Sequence, residues 1–331
     1  MTQTAHQTHP RIHWMDSVRG TAILLLLLWH ASAVPEMLGQ EMPGFIRQVN
    51  AFFMPYRMPT LMLLSGMLLT RSLQKPLPQY YAGKFGMILW PYVIWVIIAK
   101  LAFLEVVGMP WWHWRAWYAT SYLWFLFFIG VYYLVAPVFR RLPPWVPVAL
   151  AAFAGLLLPY GTIEQRMAYF AVFFFAGSWL ASHGAVFARL ASPRAALVFV
   201  APVFAFGVAA TLWTDELQYA VWGAPASIAG CLLLAALYSL MDRRGSRMRV
   251  LRFAGMSSIV FYVSHFPAMA LLSESLAGVH PLAMLAINFG VALGVGSLLA
   301  LTKKRRPVRW LFEAPAPLTA AVRWPISRLT R

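Results

Sequence analysis

The segment Arg11–Pro35 reads RIHWMDSVRGTAILLLLLWHASAVP, and the prediction for the whole chain starts from it. It is an apolar run of the length that an α-helix needs to cross a bilayer, about 20 residues. An α-helix turns about 100° and rises ~1.5 Å per residue, so Arg19 and His30 lie within about 20° of one face and roughly 16 Å apart along the axis. A guanidinium and an imidazole on one stripe of a membrane helix are costly unless that stripe faces protein, water or ligand. We therefore expect the stripe to face the interior of the protein.

The composition is typical of an integral membrane protein. Of the 331 residues, 61% are hydrophobic and 11% are charged, whereas a soluble domain averages about 25% charged residues. The mean hydropathy is +0.66. The single cysteine, Cys231, lies in an apolar run, so a disulfide within one chain is excluded.

Ten apolar segments are predicted to span the membrane, although one of them, residues 145–158, is short for a hydrocarbon core of about 30 Å. The ten segments are 17–34, 49–69, 85–107, 118–139, 145–158, 167–182, 195–213, 218–241, 255–273 and 281–301. The predicted fold is all-α, a polytopic transmembrane helical bundle of about ten spans. We assign residues 1–306 to this transmembrane domain and residues 307–331 to a short, basic, irregular cytoplasmic tail.

The loops between these segments sort the cations by side. One side carries Arg11, Arg71, Lys75, Lys84, Arg140, Arg141, Arg189, Arg194, Arg243, Arg244, Arg247, Arg249, Arg252 and eight more cations from Lys303 to Arg331. The opposite loops carry Arg47, Arg115 and Arg166 and most of the acidic residues. Because positively charged loops stay in the cytoplasm, both termini are predicted to be cytoplasmic. The net charge of +17 is then explained by topology and by attraction to anionic membrane lipids, and we predict no nucleic-acid partner.

The first segment also has features of a secretory signal peptide, because the small residues of Ala31–Ala33 could form a cleavage site. Cleavage there would remove His30 from the mature protein. Against this alternative, Asp16 places an acid in the part that a signal peptide keeps positive, and Trp29 and His30 interrupt the approach to the site. We expect the segment to be retained as a membrane helix.

Two further ionisable residues fall at membrane depth. In the second predicted span, Arg57 lies between Pro55 and Pro59, which are expected to break the hydrogen-bond ladder of the helix. In the ninth, His265 lies about 15 Å from the cytoplasmic boundary by helix rise. Because ionisable residues at such depth are functional by default, we predict that His30, Arg57 and His265 meet in the middle of the bilayer. The alternatives are an arginine that snorkels to the interface and a histidine that makes only a structural hydrogen bond.

The motifs of soluble enzymes are absent from the sequence. It contains no Gly-rich phosphate loop, no G-x-S-x-G, no H-E-x-x-H and no cysteine cluster, so neither a soluble hydrolase nor a metal site is predicted. It also contains no internal repeat of the kind that many transporters show.

Asp16 and Arg19 have the i,i+3 spacing at which side chains meet on a helix. The alternative interpretation of that pair is a surface ion pair worth at most ~1 kcal/mol.

The chain resembles the membrane acyltransferase 3 family in four stretches. These are Asp16…Arg19-Gly20…His30, Arg57-Met-Pro59…Leu64-Ser65-Gly66, Trp124-Phe125-Leu126 and Tyr262-Val-Ser-His265-Phe-Pro267. The spacing of Arg19 and His30 matches the family's arginine/lysine-x10-histidine motif, and the similarity extends from about Arg11 to Leu301. The family often carries an Arg-x-x-Arg pair after the second span, whereas here Arg71 is followed by Lys75 at a different spacing.

The resemblance implies transfer of an acyl group, usually acetyl, from cytoplasmic acyl-CoA to an acceptor hydroxyl at or beyond the membrane. Under this hypothesis His30 is the general base, because a neutral imidazole can take the proton of a hydroxyl as it attacks a thioester. Arg19 binds a phosphate of CoA through the forked donors of its guanidinium, and Asp16 orients Arg19. Arg57 stabilises the thioester oxyanion or binds the acceptor.

The remaining candidates are assigned to substrate binding. Arg71 and Lys75 are assigned to acyl-CoA, and Trp124, Tyr262 and His265 to the acceptor, a carbohydrate or a lipid-linked molecule of the cell envelope. The implied location is a bacterial cytoplasmic (inner) membrane, with membrane lipids as further partners.

Two other functions stay open at this point. A transporter or flippase for a lipid-linked or acidic solute would use Arg57 and the histidines as an intramembrane site. A non-catalytic membrane partner of a biosynthetic complex would need no chemical role for Arg57 or the histidines.

Overall fold

The computed structural model describes residues 13–37, 39–102, 110–246, 248–276 and 278–329, and the regular secondary structure in these ranges is entirely helical. The α-helices are α1 His13–Met37, α2 Gly44–Met67, α3 Leu69–Leu73, α4 Leu77–Lys84, α5 Trp90–Ala102, α6 Trp124–Val135, α7 Val146–Leu157, α8 Ile163–Ser182, α9 Gly184–Leu190, α10 Pro193–Leu212, α11 Thr214–Leu217, α12 Ala224–Arg243, α13 Arg249–Met256, α14 Ser258–Ser273, α15 Pro281–Thr302 and α16 Ala316–Leu329. A π-helical turn at Phe85–Leu89 joins α4 to α5. Short 3-10 helices lie at Trp114–Trp117, Ser121–Leu123, Ala136–Arg141, Val221–Gly223, Glu274–Leu276 and Val308–Leu311. The all-α prediction is confirmed.

Several of these helices are long and apolar enough to cross a membrane. By length and composition, six segments of the described ranges qualify: His13–Met37, Leu77–Leu101, Ser121–Arg141, Pro193–Leu212, Val221–Arg243 and Pro281–Thr302. Two bent pairs raise the number to eight if each is one span: Ile163–Ser182 with Gly184–Leu190, bent by 109°, and Arg249–Met256 with Ser258–Leu272, bent by 82°. The predicted spans 49–69 and 145–158 fall on α2 and α7, which are not among them. The chain is a multi-pass membrane protein, while ten spans and cytoplasmic termini stay predictions.

Helix α1 packs against α2, α12, α13, α14 and α15. Its contact with α13 depends on two glycines that let the backbones touch. A Cβ atom at Gly20 would lie 2.0 Å from the carbonyl oxygen of Leu251, and one at Gly255 would lie 1.8 Å from the carbonyl oxygen of Asp16. Neither distance is possible for a real Cβ atom, so this contact requires glycine on both helices. It fixes the end of α1 that carries Asp16 and Arg19.

Helix α2 packs against α8 in the same way. A Cβ atom at Gly66 would lie 1.7 Å from the carbonyl oxygen of Phe174, and one at Gly177 would lie 2.0 Å from that of Leu63. Pro55 and Pro59 lie inside α2, yet the helix is continuous. Neither proline can donate to the hydrogen-bond ladder, but the backbone stays helical because α2 packs against α1, α8, α10 and α12.

The prediction of an irregular tail after residue 306 is also wrong. Helix α16 packs against α4. The indole N–H of Trp90 donates to the carbonyl oxygen of Trp310 at 2.7 Å, and that of Trp95 donates to the carbonyl oxygen of Leu311 at 3.0 Å. Pro315 and Pro317 flank the first residue of α16, where proline removes no hydrogen bond that the helix needs. The boundary at 306 stays a prediction.

Candidate functional site

Two histidines from distant parts of the sequence meet inside the bundle. His30 on α1 and His265 on α14 are 6% and 0% exposed. Nδ1 of His30 lies 3.1 Å from Nε2 of His265, and the two ring centroids are 4.6 Å apart in an edge-to-face arrangement. The predicted meeting of these two side chains is confirmed as a contact.

The neighbouring carbonyl groups assign the ring protons. Nδ1 of His265 lies 2.6 Å from the carbonyl oxygen of Tyr262 and 3.2 Å from that of Phe261. A carbonyl oxygen only accepts, so this Nδ1 carries the proton, and in a neutral ring Nε2 is then an acceptor. Nδ1–H of His30 therefore donates to His265, with the carbonyl oxygen of Leu26 as a second acceptor at 3.2 Å. The lone pair of His30 is left on Nε2, the position that a general base needs.

Aromatic rings surround the histidine pair. The Trp29 ring lies edge-on to His30, with centroids 4.2 Å apart, and Phe266 lies 5.8 Å from the same ring. Tyr122 packs against His265 at 5.6 Å, and its hydroxyl donates to the carbonyl oxygen of Val263 at 2.9 Å. These rings keep water away from both imidazoles, which strengthens the hydrogen bond between them.

Arg57 on α2 reaches the same region from another side. Its Cζ lies 4.7 Å from the centroid of the Trp29 ring, and the residue is 6% exposed. Its Nε and Nη1 are buried and make no hydrogen bond within the described residues. An unsatisfied buried donor costs about 1–3 kcal/mol, and more when it is charged. Two donor groups of Arg57 are therefore left without an acceptor among the described residues.

Arg19 lines one cavity near the opposite end of α1. This Arg19 cavity, of about 170 Å³, is lined by Arg19 and Ile23 of α1, Ser65 of α2 and Tyr262 of α14, among others. Nη1 of Arg19 lies 3.8 Å from a carboxylate oxygen of Asp16, at the predicted i,i+3 spacing. The cavity is thus lined both by Arg19 and by Tyr262, whose carbonyl oxygen accepts from Nδ1 of His265.

Arg57 lines a second cavity on the other side of α1. This Arg57 cavity, of about 250 Å³, is lined by residues of four helices: Thr21, Ala22 and Leu25 of α1, Phe52, Phe53, Tyr56, Arg57 and Thr60 of α2, Val200, Val203 and Phe204 of α10, and Gly230, Leu233 and Leu234 of α12. By helix geometry, the α1 residues of the two cavities point about 130° apart. Around the axis of α1, His30 points in about the same direction as the residues that line the Arg19 cavity. Trp29, which lies under Arg57, points in about the same direction as the α1 residues that line the Arg57 cavity. The two cavities therefore lie on different sides of α1.

Tyr262 and Trp124, two of the residues assigned to acceptor binding, lie in different surroundings from each other. The Tyr262 hydroxyl donates to the carbonyl oxygen of Tyr122 and accepts from the backbone N–H of Phe125 at 3.2 Å, while its own carbonyl holds His265. Trp124 instead packs against Phe170, with ring centroids 4.8 Å apart. Tyr262 is thus part of the frame of the histidine pair, whereas Trp124 belongs to a neighbouring aromatic cluster.

Arg71 and Lys75 lie away from the Arg19 cavity. Arg71 is exposed on α3, and Lys75, just before α4, lines a separate cavity of about 610 Å³ with Glu313 and Arg323. Helix α3 ends at Leu73, and a turn at Gln74 lies between Arg71 and Lys75. Their assignment to acyl-CoA stays a prediction.

Trp29 and Tyr122 also belong to the site, although neither was predicted from the sequence. Trp29 is next to His30 and lies under Arg57, and Tyr122 is two residues before Trp124 in the third matching stretch. The sequence signal that could have identified them was their closeness to the motif residues.

No group of three or more His, Cys, Asp or Glu side chains is placed to hold a metal ion in the part of the chain that the structure describes.

A known protein family matches most of the chain. The family model described as an acyltransferase domain matches residues 12–302, which include α1 to α15. No curated protein and no solved structure matches the chain. The match covers far more than half of the sequence and contains both histidines, Arg19 and Arg57. The chain belongs to the acyltransferase 3 family of membrane O-acyltransferases.

Proposed function

We propose that the protein is an integral membrane O-acyltransferase of a bacterial cytoplasmic membrane. It transfers an acyl group, in the simplest case acetyl, from cytoplasmic acyl-CoA to a hydroxyl of a carbohydrate or a lipid-linked acceptor of the cell envelope. The observation that carries this proposal is the His30–His265 pair, which leaves the lone pair of His30 on Nε2. The buried Arg57, over the ring of the adjacent Trp29, adds two donors without partners.

The proposed reaction needs one base and one oxyanion donor. Nε2 of His30 takes the proton of the acceptor hydroxyl while the hydroxyl oxygen forms a bond to the thioester carbonyl carbon. Arg57 donates hydrogen bonds to the carbonyl oxygen as it becomes an oxyanion, or else to the acceptor. When the tetrahedral intermediate collapses, the C–S bond breaks, and the CoA thiolate takes the proton back from His30. The products are the acyl ester and CoA with a free thiol.

His265 acts through His30 as a positioning residue. Its Nε2 accepts the Nδ1–H of His30, so the tautomer with a free Nε2 is favoured. The same bond strengthens when His30 becomes an imidazolium, since a charged donor makes the stronger hydrogen bond. His265 is itself held by the Tyr262 carbonyl, which makes the chain of hydrogen bonds continuous from base to backbone.

Donor binding is assigned to the Arg19 cavity. The guanidinium of Arg19 binds a phosphate or the pyrophosphate of CoA, and Asp16 orients it. The pantetheine arm would then run along the cavity toward Tyr262 and the histidine pair, a helix rise of roughly 16 Å from Arg19 to His30. Arg71 and Lys75 would contribute only through more distant parts of the donor.

A transporter or flippase is the second candidate function. The observation in its favour is the buried, unpaired guanidinium of Arg57 in an intramembrane cavity, which an acidic solute would satisfy. A transporter does not require a histidine pair with an oriented lone pair, and it consumes no acyl-CoA.

The discriminating experiment uses purified protein in detergent with radiolabelled acetyl-CoA. Release of labelled acetate, or transfer to added envelope extract, is expected for the wild type and should fall about 10²–10⁴-fold in His30→Ala. The matched control is His183→Ala, because His183 is an exposed histidine at the end of α8. Equal turnover in both variants would reject the proposal. Solute flux in liposomes without acetyl-CoA consumption would establish the transporter instead.

A further inference from the structure

The Arg57 cavity combines an apolar lining with one buried cation. Leu25, Phe52, Val203 and Leu233 supply hydrocarbon and aromatic surface from four helices. Arg57 supplies Nε and Nη1, both buried and without a hydrogen-bond partner in the described residues. Apolar walls favour a hydrocarbon group, and the two donors need an oxygen acceptor. The lining therefore matches a molecule that carries both.

The cavity is elongated and reaches the membrane-facing surface. Its α2 residues run from Phe52 to Thr60, a helix rise of about 12 Å. Its α10 residues include Val200 and Phe204, which are 49% and 61% exposed. Helix α10 is an apolar span with little of its surface buried in the protein, so these residues face lipid chains. A molecule dissolved in the bilayer can reach the cavity from the side.

We propose that the Arg57 cavity binds the hydrocarbon chain of the acceptor, and this inference rests on the proposed acyltransferase function. The acceptor is then an amphiphile with a hydroxyl-bearing polar head and at least one hydrocarbon chain. The chain lies between α2, α10 and α12, an oxygen of the head accepts hydrogen bonds from Arg57, and the hydroxyl approaches Nε2 of His30.

The position of the second cavity supports the acceptor over the donor as the occupant. The Arg19 cavity holds the cation suited to CoA phosphates and lies on the His30 face of α1, about 130° away. Donor and acceptor then approach α1 from directions about 130° apart, and both extend to the part of α1 that carries Trp29 and His30. Each substrate has its own guanidinium and its own route.

The test is photolabelling with a diazirine-bearing long-chain alcohol, which has both a chain and a hydroxyl. Purified protein in lipid nanodiscs is labelled without any acyl donor, and the modified peptides are mapped by mass spectrometry. We expect labels on the cavity-lining parts of α2, α10 and α12, displaced by unlabelled dodecanol and not by ethanol.

Val203→Trp fills the cavity from α10 and should lower the labelling of α2 and α12 about tenfold, as expected when several methylene contacts are lost. The matched control is Leu197→Trp on the same helix, where the side chain is 78% exposed, and its labelling should equal that of the wild type. Thermal unfolding of both variants establishes that they fold. The wild-type map and the dodecanol competition decide the question even if Val203→Trp does not fold.

Four results would overturn the inference. Labels confined to the exposed face of α10 would show that the cavity takes no chain. Cavity labelling without His30-dependent use of acetyl-CoA on the same preparation would remove the acceptor role together with the proposed function, whereas His30-dependent turnover without cavity labelling would remove this inference alone. A preference for long-chain acyl-CoA that Val203→Trp shifts toward acetyl-CoA would assign the chain to the donor.

Discussion

Nδ1 of His30 donates to Nε2 of His265 at 3.1 Å, across 235 positions of sequence. The bond joins α1 to α14 and is continued by Nδ1 of His265, which donates to the Tyr262 carbonyl. A backbone carbonyl inside a helix cannot change its role, so it determines which nitrogen of His30 is basic, two hydrogen bonds away. The reactivity of His30 is therefore set by the backbone of another helix.

Replacing His265 should slow the reaction without weakening donor binding. His265→Ala removes the acceptor for Nδ1–H of His30, and we expect kcat to fall about 10- to 100-fold, less than the full contribution of a general base. The KM for acetyl-CoA should stay within about twofold, because the Arg19 cavity is untouched. Steady-state kinetics of acetyl release give both values.

His265→Gln is the control for a positioning role. The amide oxygen of glutamine can accept from His30 near the place of Nε2, so this variant should recover a large part of kcat. A merely structural role of His265 would predict equal losses in the two variants, along with a lower melting temperature in both. Equal losses would remove the relay from the mechanism.

We predict that Arg57 lowers the thermal stability of the protein although acyl transfer depends on it. Arg57→Met keeps much of the side-chain length and removes two buried donors without partners, each of which costs about 1–3 kcal/mol. The lost cation–π contact with Trp29 offsets part of this gain, about 0.5–2 kcal/mol. We expect the melting temperature in detergent to stay equal or rise, while acyl transfer falls below detection.

Arg115→Met is the matched control, because Arg115 also contacts a tryptophan ring, that of Trp114, but lies at an exposed position. Its activity should equal that of the wild type. A marked loss of stability in Arg57→Met would mean that the guanidinium serves the fold, and its assignment to the reaction would have to be withdrawn.

The approach of the two histidines was predictable because helix rise gives the depth of a residue in its span. His30 and His265 were expected at mid-membrane, and that depth let them meet. The direction of a side chain around its helix depends on packing, which the sequence does not reveal. Trp29 beneath Arg57 and Tyr122 beside His265 were missed for this reason.

Other errors have a similar physical origin. Proline content suggested a broken α2 and an irregular tail, but neighbouring helices hold α2 together, and two of the tail prolines flank the start of α16. Arg71 and Lys75 are four positions apart, yet α3 ends at Leu73 and a turn at Gln74 separates their surroundings. Closeness in sequence does not predict shared surroundings where a turn separates two residues. Local helix propensity does not predict the backbone where tertiary packing determines it.

Glycine at the α1–α13 contact should be essential for folding. Gly255→Ala places a Cβ atom 1.8 Å from the carbonyl oxygen of Asp16, a backbone atom that cannot move alone. Overpacking of this kind costs about 1–3 kcal/mol or more. We expect poor expression and a lower melting temperature. Gly294→Ala on α15 is the control, since no atom beyond the local backbone of its own helix lies within 4 Å of an added Cβ, and alanine there should be neutral or stabilising by about 0.5–1 kcal/mol. Equal stability of the two variants would contradict the packing of α13 on α1.

Arg19 is predicted to bind the donor through the shape of its guanidinium as well as its charge. Arg19→Lys keeps the charge but loses the forked donors, so we expect the apparent KM for acetyl-CoA to rise about tenfold, the value of one charge-assisted hydrogen bond, with kcat little changed. Arg194→Lys, at an exposed position at the start of α10, should leave KM as it is.

The discriminating series compares acetyl-CoA with acetyl-pantetheine, which lacks the adenosine phosphates and the pyrophosphate. If Arg19 binds phosphate, the wild type and Arg19→Lys use acetyl-pantetheine equally well. A KM for acetyl-CoA that does not respond to Arg19→Lys would reduce the pair with Asp16 to a surface ion pair worth at most ~1 kcal/mol.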